Sequence, residues 1–331
     1  MPVRVAVDAM GGDFAPAVVV RGALAALSQE PDLELILVGD AERINAESGS
    51  GGALPERLTI HHASQAIPMD AAPIEALRSA PDSSLVRMVE LWVAGRVDAV
   101  LSAGNTGAMA AIAQLRMRPL PAVSRPGIAV PIPTFSGPFV LCDVGSNIQP
   151  KPVHLYEYAL MASVYAEKVL EVKQPRVALI SIGEEVGKGT SLTKKADELL
   201  RRDSTLNYVG NVEGRELFEN RCDVAICDGF VGNIFLKFME GVAEGLHRTL
   251  MGELERETSA VRAGLQETIG RIWERLDYSY YGGAPLLGVN GVCIICHGRS
   301  NDRAICNAVK AARRFVQLKL NEVMTARLRK D

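Results

Sequence analysis

Short apolar, β-branched runs alternate with longer stretches of helical period along nearly the whole chain, and that alternation leaves few folds open. Residues 3–7, 33–38, 97–101, 128–132, 139–143, 177–182, 223–227 and 292–296 have the length and residue types of strands. Between them, 17–27, 84–94, 107–116, 154–170, 192–200, a long stretch from 231 to about 250, and 303–320 carry helical periodicity. Alternation of this kind builds a mostly parallel sheet covered by helices on both faces, an α/β architecture. With 331 residues and 48% hydrophobic content, the chain has enough apolar material for one catalytic domain spanning 1–331. Ligands of such sheets sit beyond the carboxyl ends of the strands. The residues just after each strand are therefore where a site is expected.

One region departs from the pattern. From about 239 to 276 the chain is helical, charged and without strands, and it turns near Thr258-Ser259. It reads either as an ordinary surface hairpin or as a protruding arm for dimerisation, carrier-protein docking or membrane contact. It lacks a long Leu/Phe/Trp face, which argues against strong membrane binding. No internal repeat is evident.

Composition removes several classes of function. A formal net charge of −3 gives no electrostatic footprint for nucleic acid. Met1-Pro2-Val3-Arg4 leads straight into a strand pattern, with no apolar signal-peptide core. The most apolar stretch, 127–144, holds Pro131, Pro133 and Pro138 and reads as two strands and a turn instead of a membrane span. The six cysteines lie mostly inside apolar runs, as buried reduced thiols of a cytoplasmic protein would. Cys293-Ile294-Ile295-Cys296-His297 matches the haem-attachment string, but in a strand residues three apart point to opposite faces. Neither a cofactor nor a metal is expected.

The loops after the strands carry the chemistry. Asp8-Ala9-Met10-Gly11-Gly12-Asp13 leads into an apolar helix, and paired glycines let backbone amides approach an anion. Its spacing is not that of a dinucleotide fingerprint. Ser102-Ala103-Gly104-Asn105-Thr106-Gly107 offers hydroxyl and amide donors at a helix start, suited to a phosphate or a developing oxyanion. Asp143-Val144-Gly145-Ser146-Asn147 repeats the theme. Gly183-Glu184-Glu185-Val186-Gly187-Lys188-Gly189-Thr190 resembles a P-loop without the Walker spacing, and its glutamates would repel a triphosphate. Lys188 remains as a point charge beside a strand end. Asn233 falls in the first turn of a helix, as an anion donor or as a cap. His297 follows the last strand, where it either faces the site or caps the turn. There is no G-x-S-x-G elbow for a serine hydrolase.

In this order the loops resemble the phosphate acyltransferase family of bacterial phospholipid synthesis. The matching strings include Val5 to Asp13, Ser102 to Ala108, Gly183-Glu184-Glu185 with Lys188-Gly189, and Gly210 to Arg215. Cys227 to Asn233 and Tyr281 to Gly291 complete them, over about residues 3–315. The chain departs from the family pattern at Arg78-Ser79-Ala80-Pro81, at Ser146 and at Ile148-Gln149-Pro150-Lys151. The resemblance implies a three-layer α/β/α fold similar to phosphotransacetylases and isopropylmalate dehydrogenases. It implies a cytoplasmic homodimer that can meet the inner membrane surface. The activity it implies is transfer of a fatty acyl group from acyl-acyl carrier protein to inorganic phosphate, with a glycerol-3-phosphate acyltransferase downstream. Lys188 and Asn233 match positions that the family places at the reacting centre.

On this reading glycine-loop amides and Lys188 hold phosphate against the thioester. Asp8, Gly11, Gly12, Ser102, Gly104, Asn105, Thr106, Asn147 and His297 are the phosphate- or substrate-binding candidates. Asn233, with Ser102 or Asn105, would stabilise the tetrahedral oxyanion. Arg256, Arg262, Arg271 and Arg275 on the arm would suit an acidic carrier protein. Three rivals remain: a short-chain phosphotransacetylase using coenzyme A, a dehydrogenase of the isopropylmalate type, and a non-enzymatic membrane-surface scaffold. The dehydrogenase wants a metal-binding aspartate cluster that the sequence does not display.

Overall fold

The computed structural model describes residues 2–49, 54–185, 187–256, 259–276 and 281–329. Among these residues the strands are β1 Val3–Asp8, β2 Leu33–Gly39, β3 Leu58–His62, β4 Ala99–Ser102, β5 Gly127–Ile132, β6 Phe139–Cys142, β7 Arg176–Ile180, β8 Asn207–Val212, β9 Val224–Ile226, β10 Ala284–Leu287 and β11 Val292–Ile295. The helices are α1 Ala17–Gln29, α2 Ala41–Glu47, α3 Pro73–Ser79, α4 Ser84–Val93, α5 Thr106–Ile112, α6 Pro152–Val169, α7 Ser191–Arg202, α8 Gly229–Leu254, α9 Ser259–Leu276, α10 Asp302–Gln317 and α11 Leu320–Leu328. All strands join one sheet in the order β3-β2-β1-β4-β11-β10-β5-β6-β9-β7-β8. Helices α1, α6, α7, α10 and α11 bury apolar side chains against one face. Helices α3, α4, α5 and α8 cover the other. The result is the three-layer, mostly parallel α/β/α architecture that the alternation implies.

The sheet does not present one row of strand ends. Strands β3, β2, β1, β4 and β11 run parallel, and so do β6, β9, β7 and β8. Between the two sets, β11–β10, β10–β5 and β5–β6 are antiparallel. Three reversals leave the two sets running in opposite senses. The loops after β1 and β4 therefore belong to one edge, and those after β6, β7 and β9 to the other. Functional groups from both sets can meet only at the centre, on the face that carries α5 and α8.

The two halves repeat each other, although no repeat shows in the sequence by eye. In one, β1 lies between β2 and β4; in the other, β7 lies between β8 and β9. Each half is completed by a hairpin next to the centre, β10–β11 or β5–β6. The same clamp recurs at the same place. Arg4 binds Asp98 through its backbone N–H (2.9 Å) and its guanidinium (2.8 Å), and reaches the Gly95 carbonyl at 3.1 Å. Arg176 binds Asp223 in the same way (2.8 and 2.9 Å) and reaches the Asn220 carbonyl at 2.6 Å. Gly95 and Asn220 share the left-handed backbone, with φ of +68° and +56°. Only Arg-Val-Ala at the strand start and a single aspartate survive as shared letters, too little for a repeat to show.

Helix starts follow from their caps. Asp228 accepts from Phe230 and Val231 to start α8, and Asn105 accepts from Ala108 to start α5. The helix expected over 303–320 is two helices, because Lys319 turns left-handed with φ +50°. The one expected over 107–116 ends as α5 and closes in a π-helical turn, Ala113–Met117. The helical stretch expected over 239–276 is the end of α8 and α9, and Thr258 at its expected turn lies outside the described residues. Helix α8 has 26 residues, about 39 Å of length. Phe230, Ile234, Phe238, Val242, Leu246 and Leu250 recur every fourth residue and are exposed. Helix α8 thus carries an apolar stripe that winds slowly around it, and only Val242, Leu246 and Leu250 of that stripe fall within 239–276. Among the described residues, no helix is long and apolar enough to cross a membrane.

The Arg176–Asp223 clamp makes stability pH-dependent. Burial pushes the Asp223 carboxyl up, but the hydrogen bonds from Arg176 outweigh it and hold the group below the usual carboxylate range. Replacing Asp223 by Asn is expected to cost about 1.5–3 kcal/mol at neutral pH. The folded-state value is depressed, so this stabilisation is present above about pH 4 and is lost as pH falls through the lowered value. Urea unfolding of wild type and Asp223→Asn between pH 7 and pH 3 should show two stability curves that converge on the acid side.

Candidate active site

Each half of the sheet sends one buried carboxylate to its strand ends, and each carboxylate folds a loop. Asp8, at the end of β1, accepts from the Ser102 hydroxyl at 2.7 Å and from the Met10 N–H at 3.2 Å. Ser102 in turn accepts from the Gly104 N–H at 2.9 Å. The two glycine loops interlock around this group. A Cβ on Gly11 would stand 2.6 Å from the Gly104 nitrogen and 2.7 Å from the Asp8 carboxylate. Gly12 turns with φ +106°, and Asp13 N–H then reaches the Gly298 carbonyl at 2.8 Å. Asp143, just past β6, accepts from the N–H groups of Ile128 (2.9 Å), Ser146 (3.1 Å) and Asn147 (2.7 Å), and from the Ser146 hydroxyl (2.9 Å). Burial raises the pKa of both carboxyls, and hydrogen bonds from Ser84 and Ser102 on Asp8, and from backbone amides on Asp143, oppose it.

This geometry gives several candidate residues other work. Ser102 is engaged on both sides by Asp8 and Gly104. Asn105 caps α5 with its oxygen, while its nitrogen donates to the carbonyls of Pro68, Met69 and Ala71 at 2.9–3.3 Å. Asn147 donates to Pro126, Ser146 and Tyr158 at 2.7–2.8 Å. These donors are consumed in holding loops. Gly11 and Gly104 serve close loop packing, with no free amide cradle evident in their contacts. Lys188 is exposed on the loop after β7, its backbone N–H bonded to the Glu185 carbonyl at 3.1 Å, and it does not line the cleft described next. On the arm, Arg256, in the turn just past α8, pairs with Glu253, and Arg271 pairs with Glu267 within α9. The side chains of Arg262 and Arg275 lie outside the described ones.

Three candidates do meet. An open cleft of about 680 Å³ lies over the centre of the sheet, and Thr106, Asn233 and His297 line it. Ile128, Val130, Val144, Leu236 and Ile295 make most of its wall apolar. Asn233 is not a cap, since Asp228 does that work. Its amide makes no side-chain hydrogen bond among the described residues, and a Cβ on Gly145 would be 3.7 Å from it. Two further groups project from the same helix face as Asn233. Lys237 Nζ lies 2.7 Å from His297 Nε2 and 2.8 Å from Glu240 Oε2. The Arg299 N–H donates to the other ring nitrogen, Nδ1, at 3.2 Å. Burial, then Lys237, lowers the His297 pKa, so the ring is neutral near pH 7. The sequence reading passed over Lys237 and Glu240. Their spacing of four and seven from Asn233, which places all three on one helix face, was the available signal.

Residues 3–323 match the family model described as "Fatty acid synthesis protein". The phosphate acyltransferase of Heliobacterium modesticaldum is 46% identical over 318 residues, covering 95% of this chain and 94% of that protein. The chain belongs to the phosphate acyltransferase family. A second phosphate acyltransferase, from Desulforudis audaxviator, is 46% identical over 319 residues, covering 96% and 93%. The protein is thus an acyltransferase. A phosphotransacetylase from Streptococcus pyogenes superposes with a TM-score of 0.65 at 16% identity, over 96% of this chain and 94% of that one. A branched-chain phosphotransacylase from Enterococcus faecalis gives 0.60 at 15%, over 95% and 99%. At such identities the likeness is one of fold.

In this acyltransferase the Asp143 hub should be a matter of stability before chemistry. Asp143→Ala strips the acceptor from three N–H groups and a hydroxyl in a site closed to water. The expected loss is at least about 3 kcal/mol, with Asp143→Asn losing less, read by urea unfolding.

Proposed function

We propose that the protein transfers a long-chain acyl group from acyl-acyl carrier protein to inorganic phosphate, releasing acyl phosphate and free carrier protein. The observation that carries this reading is a mostly apolar cleft with an unengaged amide, a lysine and a neutral histidine on its wall. A phosphate oxygen attacks the thioester carbonyl, the C–O bond forms, and the carbonyl oxygen becomes an oxyanion. Asn233 donates to that oxyanion. When it collapses, the C–S bond breaks and the thiolate leaves, to be protonated. Lys237 holds phosphate by charge, and neutral His297 takes the proton of a phosphate monoanion or steadies the dianion through Lys237. Lys188 arrives on the loop after β7 as a second cation. Holding both reactants in attack geometry supplies on the order of 7–11 kcal/mol, so no acyl-enzyme is needed. Acyl phosphate is a reactive anhydride, and a glycerol-3-phosphate acyltransferase would consume it. The enzyme works in the cytoplasm as a homodimer, with contact at the inner membrane face.

The assay is acyl phosphate formation from palmitoyl-acyl carrier protein and phosphate. Asn233→Ala is expected to lower kcat by about 100- to 1000-fold. Lys237→Ala is expected to act first on KM for phosphate. Acyl phosphate from acetyl-coenzyme A, with none from the carrier-protein donor, would replace this reading with the short-chain phosphotransacetylase. Activity in cells that survives both substitutions would favour the scaffold.

The homodimer is supported by the exposed stripe on α8, which a second copy would cover. Val242→Glu with Leu246→Glu puts two charges on that stripe. Sedimentation should then shift from dimer to monomer while the body keeps its fold; an unshifted dimer would place the interface elsewhere.

A further inference from the structure

The pairing of β5 with β10 has a local two-fold, Leu286 opposite Ile128 and Leu287 opposite Gly127. The cleft walled by α8 accordingly has a counterpart on the same face, walled by α5. This second groove holds about 800 Å³ of open space and is lined by Gly107 and Ala111 of α5, by Gln114 of the π-helical turn after it, by Arg125, and by the Gly145–Asn147 loop. The two spaces lie side by side, and the boundary between them is the neck. Thr106 and Val144 line the first, while their chain neighbours Gly107 and Gly145 line the second. Asn233 stands beside that neck, packed close to Gly145.

We infer that the α5 groove binds the phosphopantetheine arm of the acyl donor, an inference that rests on the thioester reading above. A donor of this class is long, unbranched and asymmetric about its carbonyl. On one side is hydrocarbon; on the other is an arm of amides that ends in a phosphodiester. The α8 cleft is mostly apolar and takes the acyl side. The α5 groove sets a few polar groups in a wall that Ile74, Ala110, Leu115 and Leu286 keep largely apolar. Gln114 makes no hydrogen bond among the described residues and can meet an arm amide. Gly107 and Ala111 repeat at helical spacing and let an extended chain lie close to the helix. Arg125 is exposed and forms no ion pair among the described residues, which suits a phosphodiester at the mouth of the groove. With the arm and chain on opposite sides, the thioester carbonyl falls at the neck, beside the Asn233 amide.

The test compares two small donors with the purified enzyme, free of carrier protein. One is S-palmitoyl-phosphopantetheine; the other is S-palmitoyl-N-acetylcysteamine, which lacks the distal amide and the phosphate. Each is assayed with phosphate for acyl phosphate, and the readout is the ratio of their kcat/KM values. Arg125→Glu should cut the ratio at least 10-fold, and Ala111→Phe, which fills the groove, should raise KM for the phosphopantetheine donor by a similar factor. Circular dichroism checks that both variants are folded. A wild-type ratio in both variants, with wild type making acyl phosphate, would overturn the groove assignment and leave the function standing. Wild type inactive with both small donors but active with palmitoyl-acyl carrier protein would overturn the groove assignment alone; wild type inactive with all three would overturn the function with it.

Discussion

The short antiparallel pairing of β5 with β10 is the contact on which the rest of the molecule depends. It joins two parallel half-sheets that run in opposite senses, and by doing so brings α5 and α8 to either side of one central space. The join is tight because Gly127 has no side chain. A Cβ there would stand 2.9 Å from the Tyr158 ring and 3.1 Å from Cys142 Sγ. Tyr158 can therefore pack under the centre, where its hydroxyl takes a hydrogen bond from Asn147 at 2.7 Å. The same Asn147 holds the Pro126 carbonyl just before β5 at 2.7 Å. Sheet register, core packing and the loop after β6 are thus one connected set of constraints.

Around that centre the polar residues divide into those that build and those that remain available. Asp8 and Asp143 are buried, and an unsatisfied buried charge would be ruinous. Each is instead ringed by donors, which is why loops rich in glycine and serine hold one shape. That leaves few polar groups facing open space. Asn233, Lys237, Glu240 and His297 are conspicuous because three come from one helix face and the fourth comes from the strand end opposite. Chemistry is assigned to them on availability, a criterion that depends on the contacts of the neighbours.

The sequence exposed the layers of the fold but not its reversal. Strong periodic segments such as β1, α1 and α6 are visible because burial demands their apolar spacing. The edge strands β3 and β8 escaped because half their residues face water, and β10 escaped because Pro285 sits inside it, where a central strand is not expected. Strand direction is absent from local pattern altogether, so the loops were read as one row of ends when they form two. The same blindness affected the site. Ser102, Asn105 and Asn147 have the letters of phosphate donors, and only their three-dimensional neighbours reveal that those donors are used. His297 and Asn233 were legible as candidates, whereas Lys237 looked like any charge on a long helix.

The repeated halves are not laid out one after the other along the chain. The hairpin β5–β6, which completes the half built on β7, β8 and β9, comes before those strands. The hairpin β10–β11, which completes the half built on β1 to β4, comes near the end, so that Ser102 in β4 meets Ile295 in β11. A ribosome therefore delivers the pieces out of spatial order. While the middle of the chain is being made, β4 shows an unpaired edge, and such edges invite pairing with other chains. Contacts this distant in sequence also make folding slow. The interleaving that creates a single central cleft thus leaves the nascent protein dependent on a late segment, and on whatever shields its open sheet until that segment arrives.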